Sequence, residues 1–486
     1  MASIDCAQSI RRLEPSKRTL RILVAIASYG DKNARFLKEI VKTYQSMTFR
    51  IDVVVLAEAP KDLGPNVEVV VGLPSKNPWT LPFAHKAILA KRVDKYDLFI
   101  YSEDDIQVTE RHIRAFLNAT VELEQDEIAG FVRYEIDHTG KRFVNEPWKH
   151  YHWKSSSVRR RGSYTIAEFT NEHTGLYILT QHQLRRAIAS GGFLRGPCRG
   201  RYDFPETAAT DPYTNCGFRK VICISALEDF LVHHMPNPYV TQLDVSLESF
   251  AEQVQTLMDI RDGTHPPSTL CDVESPLWPS AWEKMYYEKP TEQLLSTVPF
   301  DAKRILSIGS GWGATEARLQ VRGSFVTALP LDSVIGAAAE RLGIDVVYGT
   351  WDECLQRLHG QTFDCVLMTN LLHLHRSPEE MIAHCLRLTR PGGSLVFAGP
   401  NFDRAPWLLK RIIGLDGYQK LRRFELSGVS LCSPTTLARF FKCAGARITT
   451  VKWINHEIDR AWLRKVPLRL GRITARDWII QAHRLS

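Results

Sequence analysis

Two stretches of the 486-residue chain place reactive residue types directly after hydrophobic runs. In the first, the apolar run 98–101 leads into Glu103, Asp104 and Asp105. Adjacent like charges at the end of a strand are costly unless a cation shares them. A hard divalent ion, magnesium or manganese, supplies that charge through oxygen ligands. The same acids also suit a helix N-terminus, since Thr109 and a helical pattern over 110–123 follow. In the second stretch, the run 305–308 gives way to glycines at 309, 311 and 313, then to a helix-compatible segment, 314–320. Strand, glycine turn and helix is the order in which free N–H groups at a helix start meet a cofactor. Gly309, Ser310, Gly311 and Gly313 are the candidate contacts, on a pattern that is common when it stands alone.

Further acids and histidines cluster around these two stretches. The segment ALEDFLVHHMPNPY, 226–239, sets Glu228 and Asp229 just before His233 and His234. Read on their own, both histidines suit an ordinary polar loop. A carboxylate base near an acceptor hydroxyl has four candidates, Glu206, Asp211, Glu228 and Asp229, and the sequence does not choose among them. His373 and His375 follow another apolar run and suit proton removal near neutral pH, with packing as the competing reading. His456 is a further base candidate without a motif. The stretch WKHYHWKSSSVRRR, 148–161, can stack on and hold a sugar or anion, or form a solvated loop.

The elements that must position these groups alternate between strand and helix patterns. Strands are expected over 21–27, 51–56 and 67–71, with helices over 33–47, 83–92 and 246–260. In the C-terminal half, strands fall at 325–329, 345–348, 363–368 and 394–398, with helices at 334–342 and 378–388 between them. Such alternation implies an α/β fold whose ligand sits beyond the carboxyl ends of parallel strands. The proline-rich segment 262–280 separates two domains. The expected layout is an arm over 1–20, a domain over 21–245, a helix and linker over 246–289, and a domain over 290–486. Residues 282–287 read as a lead-in helix, and 405–423 as an amphipathic cap or membrane-surface segment.

The C-terminal segments ILSIGSGWG, FDCVLMTNLLHLHRSPEEMI and LRLTRPGGSLVFAGPN together resemble a Rossmann-like, doubly wound class I S-adenosylmethionine-dependent methyltransferase. The resemblance implies S-adenosyl-L-methionine as cofactor, adenine contacts near Asp352, and a contact from Asn370 after the fourth strand. Two departures stand out. Ser307 occupies a place where such enzymes usually carry an acid. Pro330 stands where a ribose-binding carboxylate usually ends the second strand, leaving Asp332 either to take that role or to cap the next helix. The N-terminal stretch YDLFIYSEDDI resembles, more loosely, the acidic metal site of GT-A type glycosyltransferases, with a mixed α/β sheet. That resemblance implies a metal held by Glu103, Asp104, Asp105 and His234, a nucleotide-sugar donor, and a glycan or lipid-linked glycan acceptor.

Composition narrows the field. Hydrophobic content of 44% and charged content of 24% are ordinary for a globular chain. A net charge of +8 is mild, and no arginine-rich tract with interleaved aromatics points to nucleic acid. The start of the sequence lacks a signal-like apolar core, and no run approaches the ~18 apolar residues of a membrane span. Ten scattered cysteines form no Cys-x-x-Cys pair, and a reducing, cytoplasmic setting is expected. The leading reading is a bifunctional glycan-modifying enzyme, joining metal-dependent sugar transfer to O-methylation of a sugar hydroxyl. Two alternatives stand beside it: a methyltransferase with a non-catalytic glycan- or nucleotide-binding module, and a glycosyltransferase on a degenerate methyltransferase scaffold.

Overall fold

The computed structural model describes residues 19–147, 150–242, 244–275, 282–414, 420–421, 423–455 and 471–485. Residues 1–18 of the expected arm, Trp148 and His456 lie outside the described residues. The chain divides into two compact units, Met1–Arg261 and Asp262–Ser486. The division falls inside the segment expected as a linker. Helix Leu247–Arg261 closes the first unit. The segment that follows joins the second unit, where Leu270 N–H donates to the Leu331 carbonyl at 2.9 Å.

In the first unit, five strands run in the order Leu176–Thr180, Leu98–Glu103, Arg21–Ala27, Arg50–Ala57, Val67–Val71. Four are parallel, and Leu176–Thr180 lies antiparallel to Leu98–Glu103, so the sheet is mixed. The central run RILVAIA is buried along nearly its whole length, as a parallel strand covered on both faces must be. Its parallel pairing sets Ala27 level with Glu103. The acids therefore emerge at the carboxyl edge of the sheet, beside the chain that enters helix Ala34–Gln45. Two four-stranded sheets complete the unit. One contains Leu231–His234 between Ile106–Gln107 and Val132–Ile136, which carries His234 back beside the acids.

In the second unit, seven strands run in the order Asp345–Val346, Phe325–Pro330, Arg304–Ser310, Phe363–Thr369, Thr389–Pro400, Asp477–Arg484, Ala446–Ile454. All pairings are parallel except those of Asp477–Arg484, which is antiparallel to both neighbours. The direction of winding reverses between Arg304–Ser310 and Phe363–Thr369. In open α/β sheets the crevice for a ligand opens at such a reversal. Among the described residues, no helix is long and apolar enough to cross a membrane.

The structure corrects the sequence reading in two places that bear on function. Residues 282–287 form turns instead of a lead-in helix. Their polar backbone reaches across to the glycine loop, where the Tyr286 carbonyl accepts from Trp312 N–H at 3.1 Å. Glu206 and Asp211 lie in a stretch rich in turn-favouring residues, which reads as loop, yet they belong to helix Phe204–Thr214. Asp203 accepts the Phe204 N–H at its start, and Pro205 sits in the first turn, where a missing N–H costs nothing. Helix Ala405–Ile413 occupies the start of the 405–423 segment and buries none of its residues, with Leu409, Ile412 and Ile413 exposed, while residues 415–419 and 422 lie outside the described residues.

Candidate functional sites

In the C-terminal unit, the glycine loop opens directly from the strand at the winding reversal. Gly309 has φ +70° and Gly313 φ +86°, backbone that side chains with a Cβ rarely adopt. Gly313 begins helix Ala314–Val321. Gly311 is required for another reason, because a Cβ there would lie 2.1 Å from the Tyr286 carbonyl oxygen. The loop and helix start line a small pocket with Glu288, Ser310, Trp312, Thr315, Glu316, Leu367 and Thr369. The Ser310 hydroxyl is buried there and, among the described residues, has no hydrogen-bond partner. A buried polar atom left alone is unfavourable, and one facing a pocket fits a polar ligand such as S-adenosylmethionine.

Carboxylates frame this pocket. Glu288 accepts from Lys284 Nζ at 2.5 Å, Thr369 Oγ1 at 3.0 Å and Asn370 Nδ2 at 3.0 Å. Asn370 holds φ +50°, so its backbone is bent into a costly region while its amide steadies Glu288. On the floor, Ser307 Oγ donates to Glu316 Oε1 at 2.6 Å, with both residues buried. Sequence reasoning named Asn370 but missed Lys284, Glu288, Trp312 and Glu316. Glu316 lies only seven residues past Gly309, and the serine at 307 was the signal that an acid had to come from elsewhere.

The other predicted residues of this unit fall into different roles. Asp332 is buried and caps helix Ser333–Arg341, its Oδ1 accepting from Val334 and Ile335 N–H at 2.8 and 2.9 Å. Burial pushes its carboxyl up to about 7, against the pull of those backbone donors. The capping reading of Asp332 thus accounts for its placement. Asp352 stands exposed in the first turn of helix Trp351–Arg357, where an acid meets the helix dipole. His373 is fully enclosed, and its Nε2 donates to the Trp282 carbonyl at 2.6 Å. Burial holds its imidazole down to about 4, which makes it neutral at pH 7 and a weak base. This is a packing histidine, correcting its reading as a base. His375 is half-buried, and its Nδ1 accepts from Ser377 N–H at 3.2 Å.

In the N-terminal unit the structure brings the acids and His234 together. Asn33, at the start of helix Ala34–Gln45, makes no cap with its side chain. Its amide instead donates to Asp104 Oδ1 at 2.8 Å and Asp105 Oδ2 at 2.9 Å. His234 Nε2 lies 3.4 Å from Asp105 Oδ2, and its Nδ1 donates to Glu135 Oε1 at 2.7 Å. Glu135, which the sequence did not reveal, is itself held by Asn145 Nδ2 and Tyr239 N–H. Although burial opposes its charge, Asp105 and then Glu135 raise His234 to about 9. Burial, and then Asp105, hold Glu103 above the usual carboxylate range, while Arg133 pulls it back. His173 Nε2 lies 3.5 Å from Glu103 Oε1. Lys220 is buried in the same unit and donates to Thr174 Oγ1.

As a metal centre this arrangement is incomplete. Asp105 and His234 meet, but among the described residues no three of His, Cys, Asp or Glu converge as a cation would require. The residues as placed do not fit the four-ligand set expected from sequence. Nor do the base candidates gather there. Glu228 pairs with Arg142 at 3.0 Å and Asp229 with Arg111 at 2.5 Å, all partly exposed. Asp211 is fully buried and bound to Lys86, which makes it a core ion pair that is not open to an acceptor. Glu206 is half-buried in the first turn of its helix.

Residues 281–451 match the family model described as a methyltransferase domain. The C-terminal unit carries a methyltransferase domain. Over 164 residues, 33% of this chain, the sequence is 25% identical to the ubiquinone biosynthesis O-methyltransferase of Coxiella burnetii and covers 70% of that protein. The enzyme of the same name from Aromatoleum aromaticum is 29% identical over 150 residues, 29% of this chain and 63% of that one. Among solved structures, an S-adenosylmethionine-dependent methyltransferase from Archaeoglobus fulgidus is similar with TM-score 0.32 and 17% identity, over 40% of this chain and 91% of that one. One from Mesorhizobium loti gives TM-score 0.31 and 19% identity, over 40% and 96%.

Proposed function

We propose that the C-terminal unit transfers a methyl group from S-adenosylmethionine to a hydroxyl oxygen. The observation that carries this reading is the pocket at the winding reversal, where the glycine loop leaves the Ser310 hydroxyl buried and alone. The relatives' name, O-methyltransferase, supports oxygen as the acceptor atom. When bound, the cofactor supplies an electrophilic methyl on a sulfonium. Gly309, Ser310, Gly311 and Gly313 would hold it, Glu288 and Glu316 would face its charged end, and Asn370 would keep Glu288 in place. With His373 neutral and enclosed, the acceptor proton leaves by another route, and His375 is the half-exposed histidine nearest in sequence. Calorimetric titration of the full chain with S-adenosylmethionine should give one site. Incubation with glycan and phenolic acceptors should release S-adenosylhomocysteine. No heat at high cofactor concentration would defeat the reading and favour a degenerate scaffold.

For the N-terminal unit we infer a nucleotide- or glycan-binding module. Its support is half-buried Arg133 and buried Lys220, cations able to meet a phosphorylated ligand. Binding of nucleotide sugars should be detected by calorimetry and should survive chelator. Manganese-dependent release of nucleoside diphosphate, lost in Asp105→Ala, would instead establish the sugar-transfer reading.

A further inference from the structure

The pocket of the C-terminal unit carries an unbalanced charge. Two of its walls are carboxylates, Glu288 and Glu316. The buried cation beside them is Lys284, which has no exposed surface and binds Glu288 through its Nζ. Among the described residues, no cation forms an ion pair with Glu316. Its hydrogen bond is the neutral hydroxyl of Ser307, and it is only 5% exposed. An ionised carboxylate so enclosed is unfavourable unless a positive group arrives to share the space. Burial raises the Glu316 carboxyl, and Glu288 adds to that effect while Lys284 works against it. The pocket is therefore short of one positive charge on the Glu316 side.

Resting on the methyl-donor reading above, we propose that Glu316, seated by Ser307, recognises the ammonium group at the amino-acid end of the donor. Glu288 flanks the same group, with its orientation fixed by Lys284, Thr369 and Asn370. Glu316 is thus a binding and specificity residue that discriminates donors bearing an amino acid from nucleosides that lack one. A charge-assisted hydrogen bond in a dry site is about twice as strong as a neutral one. The serine matters because it sets the carboxylate's position. Seated on the strand before the loop, residue 307 could itself carry a carboxylate into almost the same space.

That last point supplies the test. The full chain is titrated by calorimetry with S-adenosylmethionine and, separately, with 5′-methylthioadenosine, which keeps the nucleoside and thioether but has no amino-acid end. Glu316→Gln preserves an acceptor for Ser307 and differs little in shape, so folding should be kept. Its affinity for S-adenosylmethionine should fall roughly 10- to 100-fold, with 5′-methylthioadenosine unaffected. Adding Ser307→Asp to Glu316→Gln should restore most of the lost affinity, because the carboxylate returns from the other side of the same hydrogen bond. Equal losses for both ligands would make Glu316 structural and overturn the inference, as would no loss at all. A wild-type chain that binds neither ligand would overturn the methyl-donor reading itself, which separates the two failures.

Discussion

Gly311→Ala should abolish donor binding and cost the C-terminal unit roughly 1–3 kcal/mol, the usual range for forcing an atom into filled space. The new Cβ would lie 2.1 Å from the Tyr286 carbonyl oxygen and 2.9 Å from its carbon. Both are backbone atoms, so no side chain can swing aside. The segment above the loop must lift instead. Lifting it breaks the Trp312 N–H to Tyr286 bond and the bond from Trp312 Nε1 to the Glu288 carbonyl at 2.8 Å. Glu288 then leaves the wall of the pocket, and the Lys284, Thr369 and Asn370 contacts go with it. Gly360→Ala is the control. Its φ of +80° makes alanine strained, but nothing lies within 4 Å of the added carbon. It should lose about 1 kcal/mol and keep donor binding. Urea unfolding gives the stability change, and calorimetry the binding. Retained binding in Gly311→Ala would mean the segment over the loop plays no part in forming the site.

The different fates of the two glycine positions show what a sequence can carry. A strand, glycines and a helix are local features, and periodicity locates them because each depends on a few neighbouring residues. The strand RILSIGS and helix Ala314–Val321 lie where the pattern puts them. What passes over the loop is non-local. Nothing in 282–287 announces that a turn there will set a carbonyl against Gly311, and an aromatic-rich segment read as a helix was the natural error. The same limit hid Glu288: Lys284 stands close before it, but its other two donors, the neighbours Thr369 and Asn370, come from a distant part of the chain. Asp332 was ambiguous because a short acid after a strand suits both a ribose and a helix start, and only the backbone beyond it decides. In the N-terminal unit the acids and His234 were legible as residue types at an element's end. Their convergence was not legible to the last ångström, and a metal site depends on that last ångström. The charged residues that sequence offered as bases went to surface arginines or to the core, since a carboxylate finds the nearest cation whatever its intended use.

Glu127→Ala should be the most damaging change in the N-terminal unit. The Glu127 side chain is fully buried, and Arg159, Arg161 and Arg219 all donate to it, with Glu124 N–H nearby. Removing it leaves three guanidinium groups around an empty space, and breaking a buried pair in this way costs about 3–5 kcal/mol. The strands tied together are Glu127–Ala129, Arg219–Cys223, Tyr164–Ala167 and Arg159–Arg161. Lys220 rides on one of them, so the cluster also holds a candidate ligand cation in place. Acid should reveal the same contribution. Burial alone would raise the Glu127 carboxyl, but Arg161, the Glu124 backbone and Arg159 lower it from 4.5 to about 2. A carboxyl lower in the folded state stabilises fully above its unfolded value. The stabilisation therefore holds above about pH 4.5 and is lost as pH falls toward 2. Its size is on the order of 2–3 kcal/mol, after allowing for the partial exposure of the arginines. Hydrogen exchange of strand Arg219–Cys223, followed from pH 5 down to pH 2, should show wild type losing protection relative to Glu127→Gln, which starts lower and changes less. If the two chains lose protection in parallel across that window, the arginine cluster is not what makes this sheet sensitive to acid.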